Sequence, residues 1–139
     1  MKLEKKPDKP INVQRTIQKA VDVILKEDQE HNINAILLFG SYADGTAIWR
    51  SDIDICVVFK KMPTEKEAFM FRVKVMGVLP DIVDLQVFNV LPQKIKKTIA
   101  DNHKVLFHSP TFDEMSFIRV NQELFYELKQ KIATLEIST

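Results

Sequence analysis

At 139 residues the chain has the length of a single domain and can bury a core without disulfides or structural metals. Hydrophobic residues make up 45% and charged residues 28%, ordinary globular usage that excludes disorder as the default state. A formal net charge of +1 excludes a bulk field for capturing nucleic acid or anionic lipid.

The first ten residues hold four lysines and two prolines and read as a solvated tail over 1–10. This charged start lacks the apolar stretch of a signal peptide, and no apolar run approaches membrane-spanning length, so a cytoplasmic protein is expected. Val13, Ile17, Ala20, Val21, Ile24 and Leu25 recur at helical spacing and predict an amphipathic first helix. Ala35 to Phe39 is an apolar run stopped by Gly40, a buried strand. Ile53 to Phe59, rich in β-branched residues, is a second. Thr64 with Glu67 is a capping-box pair opening a helix that Gly77 and Pro80 end. Ile82 to Phe88 reads as a third strand, and Lys94 to Asn102, after Pro92, as a helix. Lys104 to Phe107 suits a short edge strand, and Thr111 with Glu114 is a second capping-box pair ahead of a long helix. That helix carries two apolar stripes, one with Phe117, Leu124, Leu128 and Leu135, the other with Ile118, Phe125 and Ile132. Two stripes exceed what one surface helix of a small domain needs, so the surplus either packs deeply or binds a partner or second copy. The alternation predicts an α/β (α+β) domain over 11–110, a small mixed sheet flanked by helices. The C-terminal helix, 111–139, belongs to the same domain or binds a partner.

The chemistry is concentrated between Gly40 and Asp54. Gly40 ends a strand where a missing Cβ permits close approach. Ser41 follows at a turn or helix start, whose hydroxyl and free N–H groups suit phosphate. Asp52 and Asp54, two apart, share a face by strand periodicity and repel unless a cation lies between them, an oxygen-rich pairing that suits Mg²⁺. Asp84 lies inside the third apolar strand, where a lone charge is costly. Placed beside Asp52 and Asp54 it completes a three-carboxylate set able to hold two metals about 3.5–4 Å apart for in-line attack on phosphorus. Asp81, just after Pro80, competes for the third position but reads as a loop residue. His31, His103 and His108 have no metal-ligand spacing, and Cys56, the one cysteine, can form neither an internal disulfide nor a thiolate zinc cluster.

Gly40-Ser41, ten residues, then Asp52-Ile53-Asp54 resembles the signature of the polymerase β-like nucleotidyltransferase superfamily, and more narrowly the minimal nucleotidyltransferases (MNT) that pair with helical HEPN ribonucleases. The likeness runs over roughly residues 33 to 108 and includes Val83-Asp84-Leu85. It implies the polymerase β-like fold, with Gly40 and Ser41 on the β- and γ-phosphates of ATP. Asp52 and Asp54 would ligate two Mg²⁺ ions, and Asp84 would hold the catalytic one and help activate the acceptor hydroxyl. Ser51 would orient the loop and Gly45 permit its turn. The implied activity is AMP transfer to a HEPN-type toxin by an antitoxin. Two rivals stand beside it: an antitoxin that acts by occlusion with an idle nucleotide site, and a transferase acting on a small molecule of the aminoglycoside type. Trp49, in the loop before Asp52, would stack on the base or pin the loop; Tyr42 would cover the nucleotide or pack the loop. Lys94, Lys96, Lys97 and Lys104 would contact triphosphate or simply be solvated.

Overall fold

The order of elements in the computed structural model, which describes residues 12–138 (side chains to 136), follows from local signals along the chain. Residues 1–10, expected as a tail, lie outside the described residues. Asn12 caps α1 (Val13–Glu27) by accepting the Arg15 N–H at 3.0 Å, and Ala20, Val21 and Ile24 form its buried stripe. The Asp28 carboxylate then accepts the N–H groups of Asn32 and Ile33 and starts β1 (Ile33–Phe39). A single helical turn, α2 (Ser41–Asp44), and a loop lead to β2 (Ile53–Phe59). Helix α3 (Glu65–Met76) connects to β3 (Val83–Val87), followed by a 3-10 turn at Phe88–Val90. Helix α4 (Gln93–Asp101), β4 (Lys104–His108) and α5 (Glu114–Ser138) complete the chain.

The sheet is mixed, in the order β3-β2-β1-β4. Strand β1 runs antiparallel to both β2 and β4, while β2 and β3 are parallel, joined through α3 as a crossover of this kind requires. Both faces are covered. Ile53, Ile55, Val57, Val83, Leu85 and Val87 pack with Ile24 of α1 and Ala68 and Val75 of α3. Ala35, Leu37, Cys56 and Val58 pack with Phe88 and Ile99 on the other face, which Phe117 of α5 also approaches. Two buried faces explain why β1 and β2 read as continuous apolar runs rather than alternating ones.

Two details differ from the sequence reading, and the structure bears on a third that it left open. The third strand ends at Val87, because the Asn89 side chain clamps Phe59, accepting its N–H at 2.8 Å and donating to its carbonyl at 3.0 Å, and the backbone turns there. Thr111 does not cap α5. The helix begins at Glu114, so Asp113 is the residue in place to accept the Ser116 N–H, at 3.1 Å. The Thr111 hydroxyl sits 3.0 Å from that of Ser109, and Glu114 bonds the buried His103 ring at 2.7 Å. The surplus stripes of α5 are only partly covered: Phe117 stacks near Phe88, Phe112 and His103 and Asn121 is buried, but Leu124, Leu128, Ile132 and Leu135 are exposed.

The Thr64–Glu67 capping box is present as read, the Glu67 N–H donating to Thr64 Oγ1 at 3.1 Å and the Thr64 N–H to Glu67 Oε1 at 2.8 Å. Those bonds hold the Glu67 carboxyl below its ordinary value of 4.5, so its contribution is complete above that value and fades as pH falls through the lowered one. Thr64→Ala is expected to cost about 1 kcal/mol at neutral pH, with the gap from wild type narrowing on acidification. Urea unfolding at several pH values checks both; a variant as stable as wild type at pH 7 would show that the box contributes nothing.

Candidate active site

Antiparallel pairing of β1 with β2, and parallel pairing of β2 with β3, place the end of β1 and the beginnings of β2 and β3 at one end of the sheet. Three segments far apart in sequence meet there: Gly40–Ser41, Asp52–Asp54 and Asp84. Asp54 lies opposite Phe39 on one side and opposite Asp84 on the other, so the two carboxylates stand on adjacent strands at the same height and on one face. Asp52 lies one residue before β2, in exposed chain rather than within the strand as its period-2 reading assumed.

Gly40 makes this convergence possible. Its φ of 72° is a conformation that other residues adopt only with strain, and a Cβ built there would collide with the Asp54 carboxylate. The strand therefore turns into α2 with its backbone directly against Asp54. Ser41 and Tyr42 open α2, where helix geometry gives N–H groups no partner within the helix. Gly45 ends α2 in the left-handed conformation, at φ 83°. Asp44 then accepts the N–H of Thr46 at 3.0 Å and its hydroxyl at 2.5 Å, bonds that lower the Asp44 carboxyl. Ser51 closes the loop, its hydroxyl accepting the Ile48 N–H at 2.9 Å. Tyr42 donates its hydroxyl to the Ile48 carbonyl at 3.3 Å, the loop-packing role of its two readings.

Asp84 is half-buried on the edge strand, with two neighbours that the sequence reading did not single out. The Arg72 side chain of α3 reaches around the edge, donating Nε–H to the Leu85 carbonyl at 2.7 Å and placing its guanidinium 3.9 Å from the Asp84 carboxylate. Gln86, two residues on and on the same face, donates to the other carboxylate oxygen at 3.4 Å. Nothing in the sequence marks Arg72; only the crossover, which lays α3 beside β3, brings it there. Arg72 also satisfies an edge carbonyl that would otherwise be open to another strand.

Three of the four candidate lysines are engaged elsewhere or lie on the other face. Lys104 pairs with Leu38 near the same end of the sheet, but that position belongs to the face of Ile55, opposite the carboxylates. Lys97 pairs with Asp101 at 2.5 Å, and Lys96 lies over the Phe88 ring, where burial lowers its ammonium pKa. A concavity lined by Asn32, Phe59, Lys60 and Met70 lies at the opposite end of the strands.

Among the described residues no three His, Cys, Asp or Glu side chains converge to enclose a metal unaided. Asp54 and Asp84 in register, with Asp52 two residues from the former, nonetheless form an all-oxygen donor set. Cys56 on the same face is fully buried and its thiol is pushed up by desolvation, so it offers no thiolate. This set fits a hard cation such as Mg²⁺, which takes one or two carboxylates and completes its shell with water and substrate phosphates.

Comparison with known proteins agrees with this fold. The family described as "Polymerase beta, Nucleotidyltransferase" matches residues 18–111. A protein of Methanocaldococcus jannaschii, named as a candidate protein adenylyltransferase, is 43% identical over 72 residues, 52% of this chain and 53% of its own length. The chain thus matches only about half the length of its curated relatives. Among solved structures, a toxin–antitoxin complex with AMP-PNP superposes with a TM-score of 0.66 at 22% identity, covering 92% of this chain and 98% of that one. A complex of tri-AMPylated Shewanella oneidensis HEPN toxin with MNT antitoxin gives a TM-score of 0.67 at 18% identity, covering 90% and 96%. At these identities the structures establish the shared fold. No described helix is long and apolar enough to cross a membrane.

Gly40→Ala is expected to destabilise the protein by about 2 kcal/mol, from the positive φ and the displaced Asp54 carboxylate together. Denaturant unfolding checks this, and a loss below about 0.5 kcal/mol would show that the Gly40–Asp54 approach is not a constraint.

Proposed function

The chain belongs to the polymerase beta nucleotidyltransferase family, and from that premise we propose that it transfers AMP from ATP to a hydroxyl of a HEPN-type partner protein, as the antitoxin of a cytoplasmic pair. The convergence of Gly40–Ser41, Asp52–Asp54 and Asp84 at one end of the sheet carries this reading. The protein acceptor is supported by the name of the Methanocaldococcus relative and by the apolar residues that α5 leaves exposed. Those residues suit a partner or, secondarily, self-association.

In this reading Gly40 and Ser41 receive the β- and γ-phosphates, the absent Cβ allowing backbone approach and the hydroxyl and N–H groups bonding phosphate oxygens. Gly45 and Ser51 keep the loop shaped around them. Asp52, Asp54 and Asp84 are the residues that would hold Mg²⁺, two ions in all. The metal, when bound, supplies charge neutralisation of the triphosphate and a lowered acceptor pKa. The acceptor oxygen attacks the α-phosphorus and the bond to the oxygen bridging to the β-phosphate breaks. Pyrophosphate leaves, and the hydroxyl proton passes to the Asp84 carboxylate. Arg72 balances the Asp84 charge before the proton arrives.

The test is incubation of the purified chain with α-labelled ATP, Mg²⁺ and the product of the gene adjacent to its own, the proposed HEPN-type partner, with Asp52→Asn and Asp54→Asn alongside. Label is expected on the partner, reduced by on the order of 100-fold or more in either variant while circular dichroism stays unchanged. Near-wild-type transfer by either variant would overturn the carboxylate assignment. An unlabelled partner whose activity both forms still suppress would establish neutralisation by occlusion instead.

A further inference from the structure

The loop between α2 and β2 is held by bonds that leave its two largest apolar side chains outside. Ile48 donates its N–H to Ser51 Oγ at 2.9 Å, and its carbonyl accepts the Ser51 N–H at 2.9 Å and the Tyr42 hydroxyl at 3.3 Å. All three bonds use the Ile48 backbone, so the turn does not depend on the side chains of Ile48 or Trp49. Those side chains are nevertheless presented to solvent, 65% and 43% exposed. The Arg50 guanidinium lies 4.9 Å from the centre of the indole and covers one of its faces. Ser51 and Asp52 follow at once. The pinned turn thus displays an isoleucine, a tryptophan and a stacked arginine beside the proposed site, and connecting α2 to β2 requires none of the three.

We propose that Ile48 and Trp49, with Arg50 stacked on the indole, form the docking point for the acceptor, a polypeptide carrying an apolar side chain within a few residues of the hydroxyl to be modified. The inference rests on the proposed transfer and assigns the surface that selects its acceptor. Polypeptide is favoured over nucleotide base on three grounds. Small-ligand sites enclose their ligand in a concavity, whereas these side chains stand out in solvent on an exposed turn. Tryptophan and arginine are the residues that dominate protein–protein hot spots. The turn is already ordered, so little conformational freedom is lost when a partner lands on it. Position adds a further constraint: Trp49 is three residues from Asp52, and at about 3.3 Å per extended residue a docked segment brings a nearby hydroxyl within reach of the carboxylates.

The test compares wild type with the Ile48→Ser/Trp49→Ser double variant, folding being checked by circular dichroism and melting temperature. Affinity for AMP-PNP is measured by calorimetry, and binding and labelling of the adjacent gene's product, the proposed partner, by titration. The acceptor KM and dissociation constant are expected to rise about tenfold or more, with kcat and AMP-PNP affinity within about threefold of wild type. Trp49→Phe is expected to fall between the two. An unchanged acceptor KM would overturn the docking assignment while leaving the proposed transfer standing. Loss of AMP-PNP affinity with acceptor binding intact would make Trp49 a base-stacking residue and overturn it as well. A lowered melting temperature that accounts for both losses would reduce the pair to loop structure. Should wild type bind the protein without labelling it, the transfer reading fails, and docking then stands or falls on whether the double variant loses that binding. Absence of any binding by wild type overturns both.

Discussion

The close approach of the Gly40 backbone to the Asp54 carboxylate is the constraint around which this end of the molecule is built. The strand β1 must end and turn within one residue, because the next position is occupied by a carboxylate from β2. Glycine alone accepts both the positive φ and the missing space. The consequence is that the opening of α2, whose first N–H groups have no partner within the helix, lies directly against the aspartate that family resemblance assigns to metal. The backbone proposed to receive phosphate and the acidic side chain are thereby held together before any ligand arrives, so little reorganisation is required of them on binding.

Topology supplies the rest. A β2–α3–β3 crossover returns β3 parallel to β2, which sets Asp84 level with Asp54 rather than at the far end of the sheet. A carboxylate placed there carries a desolvation cost, moderated here in two ways. Asp84 sits on an edge strand, only half-buried, and Arg72 and Gln86 each approach one of its oxygens. The arginine is anchored independently by the Leu85 carbonyl, so it offers a fixed positive group instead of a mobile one. The apolar strand around Asp84 is consequently compatible with a charged residue in its midst.

Much of this was legible in the sequence, for identifiable reasons. Strand β2 and the Thr64–Glu67 cap match the reading because both rest on local chemistry, a β-branched run and a reciprocal pair of hydrogen bonds. The Gly-Ser and Asp-x-Asp spacing was legible because the 40–52 loop is fixed at both ends by strands that pair with each other. What the sequence withheld is non-local. Strand order places Lys104 at the right end but on the wrong face, and no count of lysines along the chain could show that. Arg72 carries no local signal, since its role exists only where α3 crosses β3. The α5 cap was misassigned to Thr111 because Thr-x-x-Glu satisfies the pattern in sequence. The competing partners, Asn34 and Ser109 for Thr111 and His103 for Glu114, come from elsewhere in the fold.

The proposed seat of the triphosphate is the junction of β1, β2 and β3, and a crystal structure of the chain with a non-hydrolysable ATP analogue and Mg²⁺ tests that placement most directly. The β- and γ-phosphate oxygens are expected against the Gly40 and Ser41 backbone, with the cation between them and the carboxylates of Asp52, Asp54 and Asp84. A triphosphate seated instead at the far end of the strands, among Lys60, Lys61 and Lys74, would contradict it.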